Sequence, residues 1–294
     1  MRHRIFLLTL LWLAAVLPAG AEPLYAICGA YPPEIAALVK EFGVDPAAGW
    51  TSTTVNGIEF SRGRYAGKDV IVFRTGVSVV NAAFRLQLAL DHFPITHVLF
   101  AGVAGGTDPA LEVGDVVIPE NWAYHSEAAY LNEDGHGSYA RPDYLPAGKE
   151  NFGMIFPTGV EITRADGQSR RFDLIPVDAG MLAVAKTVAP SLPPLKKSGR
   201  TVRVAVGGTG VTGPVFLDNA KYREWVFRTW RAQCTDMESA ALAHVAYANA
   251  KPILIVRGLS DLAGGQHGKN PIDQNELSVS EIAAHVLRAV FEKL

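Results

Sequence analysis

The sequence predicts one α/β domain, built on a mixed, mostly parallel twisted sheet with helices flanking it. Short apolar runs typical of strands alternate along the chain with stretches of helical spacing. No linker, internal repeat or low-complexity tract divides them. A hydrophobic content of 49% over 294 residues supplies enough apolar material for a large core. We therefore treat residues 22–294 as a single domain.

The first half of this domain alternates strands with helices. Leu24–Cys28 is a short apolar run typical of a strand, and Pro33 opens a segment of helical spacing that ends near Phe42. Asn56-Gly57 favours a tight hairpin turn between two strands. The elements predicted here are strands at Leu24–Cys28, Thr51–Val55, Ile58–Ser61, Asp69–Arg74, His97–Gly102 and Asp115–Pro119, and helices at Pro33–Phe42 and Val79–His92.

The regular pattern breaks between His125 and Pro176. Gly, Pro, Asn, Asp and Tyr recur there, and the apolar periodicity is weak. We interpret residues 125–176 as a long irregular excursion with a few short elements, and such a loop in a compact domain is usually functional or mobile. After it we expect helices near Asp178–Val188, Asp218–Thr229, Ser239–Ala250 and Leu277–Lys293, and strands at Thr201–Val206 and Pro252–Asp261.

The amino terminus has the pattern of a secretory signal peptide. A basic start, "MRHR", precedes the apolar run Ile5–Leu17, and the small residues Ala19-Gly20-Ala21 follow. The run is shorter than the ~20 residues that a membrane span needs. We therefore expect cleavage after Ala21, so that residues 1–21 are removed. The mature protein is then periplasmic or secreted and has no membrane association.

Charge and cysteine content narrow the function classes. The formal net charge of −2 leaves no basic excess to displace counterions from phosphates, so nucleic acid is not an expected partner. Cys28 and Cys234 are the two cysteines. An exported protein permits a disulfide between them, but the sequence favours two buried small hydrophobic side chains.

The motif "GTGVTG" at Gly208–Gly213 matches G-x-G-x-x-G, which is typical of dinucleotide sites. Such a site requires a helix that starts within the motif. Pro214 follows at once, and helical spacing begins only near Asp218, so we reject a dinucleotide site. The chain also lacks H-E-x-x-H and any Cys/His cluster. We therefore expect no metal and no cofactor.

Polar side chains recur where predicted strands end or helices start. Glu34, Glu238 and Asp261 occupy such positions, as do Arg257 and the glycine-rich loop Gly102–Gly106. Each acid alone is explained by the preference for negative charge at a helix amino terminus. Together they would meet at the edge of the sheet where ligands bind in α/β folds. Converging carboxylates without a metal suit the cleavage of a glycosyl bond, in which one acid protonates the leaving group and a base activates water.

Four segments stand out along the mature chain: "GAYPPEIAAL", "FAGVAGGTDPALEVGDVVIP", "TDMESAALAHVA" and "PILIVRGLSDLA". They resemble segments of the purine nucleoside phosphorylase/nucleosidase superfamily, and the nearest resemblance is to its methylthioadenosine/S-adenosylhomocysteine nucleosidase branch. They occur in the same order as in the family and cover most of the mature chain, with residues 125–176 as the main departure.

The resemblance implies roles for individual residues. Glu34 matches the glutamate that activates water, and Asp261 matches the aspartate that protonates N7 of the purine. Glu238 matches the glutamate that binds the ribose hydroxyls, and Met237 the methionine packed against the sugar. Arg257 and Ser260 match residues supporting the water and the aspartate, and Gly102, Val103, Ala104 and Gly105 match the loop lining base and sugar. For Asp236 we expect an exposed position or a helix cap.

The resemblance favours hydrolysis over phosphorolysis. The related phosphorylases place arginines before the glycine loop and after the first strand, where this chain has Phe100-Ala101 and "AYPPEIA". Without basic groups a phosphate dianion would be poorly held. We therefore expect an exported purine nucleosidase that acts on adenine-type nucleosides such as 5′-methylthioadenosine. A phosphate-dependent phosphorylase that uses Arg74 is the alternative.

Other features leave the substrate open. Val103 stands where the nucleosidases commonly carry Ser, and "GGTGVTGPVF" lacks the aromatic residue of the matching base-lining stretch. The resemblance to exported plant storage proteins makes a non-catalytic nucleoside-binding or storage protein a second alternative. The family also implies a homo-oligomer, in which the region His125–Tyr144 is a candidate for closing the neighbouring pocket.

Overall fold

The computed structural model describes residues 22–145 and 148–294, so the predicted signal peptide lies outside the described residues. The strands are β1 (Leu24–Gly29), β2 (Thr51–Val55), β3 (Ile58–Tyr65), β4 (Lys68–Arg74), β5 (Ile95–Gly106), β6 (Val116–Ile118), β7 (Asn121–Tyr124), β8 (Ala128–Tyr130), β9 (Ile155–Pro157), β10 (Val160–Thr163), β11 (Ser169–Phe172), β12 (Ile175–Pro176), β13 (Lys196–Lys197), β14 (Arg200–Thr201), β15 (Val204–Val206), β16 (Thr209–Thr212), β17 (Ala232–Asp236) and β18 (Ile253–Asp261). The helices are α1 (Pro32–Glu41), α2 (Val79–His92), α3 (Ala179–Val188), α4 (Ala220–Trp230), α5 (Ser239–Ala248) and α6 (Ile272–Phe291), with 3₁₀ turns at Pro46–Ala48 and Ala189–Ser191.

One large mixed sheet organises the domain, as predicted. Its strand order is β12-β7-β16-β17-β5-β1-β4-β3-β2, and β18 pairs with both β5 and β6. β1 is parallel to β4 and β5, and β18 is parallel to β5, so these strands end at one edge of the sheet. The long strand β5 pairs with β1 over its first half and with β17 at its last residues. It therefore brings the ends of β1, β17 and β18 together.

The core lies between this sheet and the helices on its two faces. Every residue of β1 and of β18 is buried, as expected for strands that are covered on both faces. α1 packs against α6, and α2 packs against α5. Ala82, Leu86 and Ala89 recur at helical spacing on the buried face of α2. Among the described residues, none of the helices is both long and apolar enough to cross a bilayer.

Most of the predicted elements are present, but the short strand β13 and three strands of the main sheet outside residues 125–176 were missed. The bounds of β2 and α2 agree with the prediction, whereas Thr201–Val206 is split between β14 and β15. The three missed strands of the main sheet are β7, β16 and β17, which extend it beyond β5. The motif Gly208–Gly213 forms β16 with its flanking residues, and α4 starts at Ala220, close to the helix start expected near Asp218.

The predicted excursion contains short strands. Within residues 125–176, β8 pairs with β9, β10 pairs with β11, and β12 adds to the edge of the main sheet beside β7. Cys28 and Cys234 are buried free thiols, as the sequence favoured. The Cys28 thiol lies 3.4 Å from the Leu99 carbonyl oxygen, to which it donates.

Candidate active site

A cleft of about 190 Å³ opens where β1, β5, β17 and β18 end. The predicted site residues that line it are Glu34, Val103, Ala104, Gly105, Met237, Glu238, Ser260 and Asp261. The sequence reasoning missed other lining residues, among them Tyr31, Val77, Phe216, Leu217 and Ile272. The predicted gathering of Glu34, Glu238 and Asp261 in one crevice is therefore present in the structure.

Glu34 lies in the first turn of α1, with its carboxylate turned into the cleft. Its Oε2 accepts hydrogen bonds from the backbone N–H groups of Ala30 at 2.5 Å and Tyr31 at 3.4 Å. Its Oε1 accepts from the N–H of Val103 at 2.8 Å. Burial raises the pKa of Glu34, while the Arg257 charge and these backbone donors oppose the shift. The carboxylate is both a helix cap and a fixed acceptor at the wall of the cleft.

Arg257 lies behind the cleft wall and pairs with three carboxylates. Its Nη1 lies 3.3 Å from Glu34 Oε1, its Nε 2.7 Å from Asp236 Oδ2, and its Nη2 2.9 Å from Glu238 Oε2. The guanidinium also stacks over the Phe100 ring, 4.2 Å from the ring centroid. Burial lowers the pKa of Arg257, but the three carboxylates outweigh it and raise the pKa overall.

Arg257 is fully buried, and Gly102 does not line the cleft. A Cβ atom on Gly102 would overlap both Glu34 Oε1 and Arg257 Nη1. The resemblance assigned Arg257 a role in supporting the water and Gly102 a place in the loop that lines base and sugar, and the structure puts both residues behind the carboxylates. Arg257 is thus a positioning residue, and Gly102 leaves the space in which the Glu34–Arg257 pair forms.

Glu34, Asp236 and Glu238, with Arg257 between them, form what we call the carboxylate cluster. Glu238 is its second cleft-lining carboxylate. Its Oε1 accepts a hydrogen bond from the backbone N–H of Ser78 at 2.8 Å. Burial raises the pKa of Glu238 to about 7, with Arg257 opposing the shift and the charges of Asp236 and Glu34 adding to it. Ser78 precedes α2, so the start of that helix also shapes the site.

Asp236 is buried, and the prediction of an exposed position for it was wrong. Its carboxylate accepts hydrogen bonds from the N–H of Ser239, the first residue of α5, and from the hydroxyls of Ser239 and Thr212. It caps the helix, as the alternative prediction held, and it also pairs with Arg257. Asp236 thus serves the helix cap and the ion pair with Arg257, and Glu238, two residues later, is the acid whose carboxylate remains for a ligand in the cleft.

Asp261 ends β18 and also lines the cleft. Its Oδ1 accepts from the N–H of Ala263 at 2.8 Å, and its Oδ2 accepts from the Ser260 hydroxyl at 2.9 Å. Burial raises the pKa of Asp261, and the hydrogen bonds from Ala263, Ser260 and Asn270 oppose it. A carboxyl group in this setting is suited to hold and donate a proton.

Apolar side chains form the rest of the wall. Met237, which stands between Asp236 and Glu238 in the sequence, lines the cleft. Val215, Phe216 and Leu217, which follow β16, line it as well. This stretch was noted as lacking an aromatic residue at the position where the family carries one, and its last residue, Phe216, lines the cleft. It offers a flat apolar surface to a heterocyclic ligand.

No arginine or lysine is found among the described residues that line the cleft. Arg74, the candidate for an alternative anion site, lies in a separate groove with Trp50 and Arg85. The Arg85 Nη1 donates a hydrogen bond to the Arg74 carbonyl oxygen. The described lining residues therefore offer carboxylates, hydroxyls and apolar groups to a ligand.

Comparison with known proteins identifies the family of this chain. The family model described as "Phosphorylase superfamily" matches residues 24–294. The chain belongs to the phosphorylase superfamily. It is 32% identical over 244 residues to the 5′-methylthioadenosine/S-adenosylhomocysteine nucleosidase of Geobacillus kaustophilus, covering 83% of this chain and 86% of that protein. It is 30% identical over 239 residues to the nucleosidase of the same name from Tolumonas auensis, covering 81% and 86%.

Solved structures of this superfamily share the fold. A futalosine hydrolase of Helicobacter pylori superposes with a TM-score of 0.70 at 20% identity, covering 92% of this chain and 98% of that one. The H. pylori 5′-methylthioadenosine/S-adenosylhomocysteine nucleosidase gives a TM-score of 0.70 at 21% identity, covering 94% and 100%. The predicted family and fold are confirmed.

Proposed function

We propose that this protein is a nucleosidase that hydrolyses the N-glycosidic bond of adenine-type purine nucleosides, 5′-methylthioadenosine among them. The observation that carries the proposal is the meeting of Glu34, Glu238 and Asp261 in one cleft with an apolar floor. The relatives that share about 30% identity over most of their length bear the name of such an enzyme.

The geometry suits an oxocarbenium-like transition state. As the bond between C1′ and N9 breaks, Asp261 gives its proton to N7, and the base leaves as a neutral molecule. Water adds to C1′, and its proton passes to Glu34. Three fixed hydrogen-bond donors and Arg257 hold the Glu34 carboxylate in place, so that little reorganisation is needed during the reaction.

Glu238 and Met237 would serve the sugar. The Glu238 carboxylate is held from behind by Arg257 and accepts hydrogen bonds from the ribose hydroxyls. Met237 packs a polarisable thioether against the ring. The cluster contains three carboxylates and one guanidinium, so its excess of negative charge stabilises a sugar that becomes cationic.

The test is incubation of the purified protein with adenosine, inosine and 5′-methylthioadenosine, with and without phosphate. We expect free base and a free sugar, at a rate that phosphate leaves unchanged. A sugar 1-phosphate formed only with phosphate would identify a phosphorylase. Binding without base release would identify a nucleoside-binding or storage protein.

We also propose that the protein acts outside the cytoplasm, because residues 1–21 have the pattern of a signal peptide. Scavenging of extracellular nucleosides would then be its use. Intact-mass measurement of the protein from fractionated cells tests this proposal. We expect a periplasmic or secreted species that begins at Glu22, whereas a full-length cytoplasmic species would contradict export.

A further inference from the structure

Two chain segments meet beside Asp261 in a contact that the mechanism above does not use. One is Val215–Asn219, which carries Phe216 into the cleft and leads to α4. The other is the irregular segment 262–271, between β18 and α6. The Asn219 N–H donates to the Ala263 carbonyl oxygen at 3.2 Å. A Cβ atom on Gly264 would overlap the Asn219 backbone, so the two segments pack backbone against backbone.

The Asp218 side chain stabilises this contact between the two segments through hydrogen bonds. Its Oδ1 accepts hydrogen bonds from Gln266 Nε2 at 2.6 Å and from Asn270 Nδ2 at 3.1 Å. The Gln266 Oε1 in turn accepts from the N–H groups of Leu262 and Gly264. The segment after Asp261 is therefore anchored to the wall that carries Phe216.

Asn270 connects this anchor to the acid. Its Nδ2 also donates to Asp261 Oδ1 at 3.4 Å, and its Oδ1 accepts from the N–H of Ile272, which lines the cleft. An amide nitrogen carries two hydrogens, so it can serve Asp218 and Asp261 at once. Ala263 and Asn270 are both directed at Oδ1, whereas Oδ2 accepts only from the Ser260 hydroxyl. That hydroxyl can rotate toward the Ala104 carbonyl oxygen, 3.4 Å away, so Oδ2 is the oxygen that can hold the proton.

We propose that Asn270, anchored by Asp218, is a positioning residue that orients the Asp261 carboxyl for proton donation to the leaving base. This inference rests on the proposed nucleosidase function. Together with the Ala263 N–H, Asn270 holds Oδ1 against the protein, so that Oδ2, beside the Ser260 hydroxyl, is the oxygen offered to the base. Asp218 fixes Asn270 and adds a negative charge nearby.

The two residues act on the Asp261 proton in opposite directions. The Asn270 hydrogen bond stabilises the carboxylate and lowers the pKa of Asp261, whereas the negative charge of Asp218 raises it. A general acid works only while protonated, so activity falls as pH rises through its pKa. This fall of activity at high pH is the basic limb of the pH profile. Loss of the Asn270 amide should move the basic limb to higher pH, and loss of the Asp218 charge should move it to lower pH.

The other charged groups on the surrounding elements stay the same in both variants, so the comparison isolates Asn270 and Asp218. They are Glu34 of α1, Arg223 of α4, Glu238 and Arg257 of the carboxylate cluster, His267 and Lys269 of the segment 262–271, and Asp273 and Glu276 of α6.

The experiment compares pH profiles of kcat/KM for Asn270→Ala and Asp218→Asn with that of the wild type. We expect Asn270→Ala to lower kcat about tenfold and to move the basic limb upward. Asp218→Asn keeps the oxygen acceptor, so its kcat should stay within about threefold. Its limb should move down by less than about one pH unit, since Asp218 is exposed and screened. Asp91→Asn removes one exposed charge at the opposite edge of the sheet, and we expect no shift from it.

A 4-nitrophenyl riboside provides a second readout, because its leaving group departs without protonation. Asn270→Ala should hydrolyse it at the wild-type rate. Equal losses on the riboside and the nucleoside would show a general collapse of the cleft and overturn the inference. Limbs that do not move, or that move in the same direction, would also overturn it.

A ¹³C NMR titration of the Asp261 carboxyl group in the wild type, Asn270→Ala and Asp218→Asn measures its pKa directly and does not depend on catalytic activity. Opposite shifts of its pKa in the two variants support the positioning role even where no nucleoside is cleaved, and identical titrations contradict it. Failure of the nucleosidase proposal and failure of this inference are therefore distinguishable.

Discussion

At the scale of single residues, the site depends on where charge is buried. Arg257 has no exposed surface, and its three carboxylate partners are also buried. Removal of one member of such a group leaves an unpaired charge inside the protein, which costs about 3–5 kcal/mol. Substitutions that keep shape and hydrogen bonding are therefore the informative ones here.

Asp261→Asn should abolish proton donation while the amide keeps the shape of the carboxyl. We expect base release to fall by about 10²- to 10⁴-fold, and nucleoside binding to change little. Base release measured by chromatography and binding measured by calorimetry check this. Asp273→Asn, which changes an exposed acid on α6, should retain turnover. Undiminished turnover by Asp261→Asn would contradict its role as the acid.

Glu238→Gln should change how stability depends on pH. Burial raises the pKa of Glu238 to about 7, so the folded protein holds this proton more tightly than the unfolded chain does. The resulting stability is fully present below the unfolded pKa and is lost as pH rises toward 7.

Between about pH 4.5 and 7, the wild type should lose on the order of 3 kcal/mol of unfolding free energy relative to Glu238→Gln. Urea unfolding of both proteins across this range measures the difference. Parallel curves would show that the glutamate titrates alike in the folded and unfolded states.

At the scale of elements, the strands and helices with strong apolar patterns could be predicted from the sequence. β1, β18 and α2 are examples, because uninterrupted burial or helical spacing is visible in the chain. β16 could not be predicted, since Thr209–Thr212 is short, contains glycine and lies within a motif typical of loops. Its strand character comes from its neighbours β7 and β17.

The candidate site was predictable to a similar degree. Glu34, Glu238 and Asp261 mark strand and helix ends that a sequence can show, and the family resemblance supplied their roles. The contacts of Ser78 and Asn270 were not predictable, because they join residues far apart in the chain. Ser78 meets Glu238 across 160 positions, and Asn270 meets Asp218 across 52.

Gly102→Ala tests how closely β5 must approach α1 and β18. The added methyl group overlaps Glu34 Oε1 and Arg257 Nη1, so the ion pair has to move. We expect a loss of about 1–3 kcal/mol of stability, together with most of the activity. Thermal unfolding and base release measure both.

Gly180→Ala is the matched control for this change. Gly180 lies in α3, where a Cβ atom meets only the Asp178 side chain at 3.2 Å. We expect it to leave stability unchanged or to raise it by about 0.5–1 kcal/mol, because alanine favours the helix. A Gly102→Ala protein as stable and active as Gly180→Ala would contradict the close approach.

At the scale of the whole molecule, an apolar surface borders the cleft. Val77 lines the cleft and is 41% exposed, and Val80 and Phe84 are 75% and 52% exposed one helical turn apart on α2. Apolar side chains grouped in this way are typical of interaction sites. We propose that a second copy of the chain covers them and borders the cleft.

The double substitution Val80→Glu and Phe84→Glu should separate such an assembly. We expect the wild type to have at least a dimer's mass by light scattering, and the variant to have the mass of one chain, because charged side chains in an apolar interface are unfavourable. Met154→Glu changes a 47% exposed residue elsewhere and should leave the assembly intact. A monomeric wild type would contradict the proposal.

The sharing of one guanidinium among Glu34, Asp236 and Glu238 also constrains how this enzyme can diverge. Replacement of Glu34 would leave Arg257 short of a counterion, and Glu238, which shares the same guanidinium, would be disturbed in the same step. New chemistry in this pocket therefore requires coordinated replacements. Glu34, Asp236, Glu238 and Arg257 should therefore be retained together, or replaced together, among related proteins.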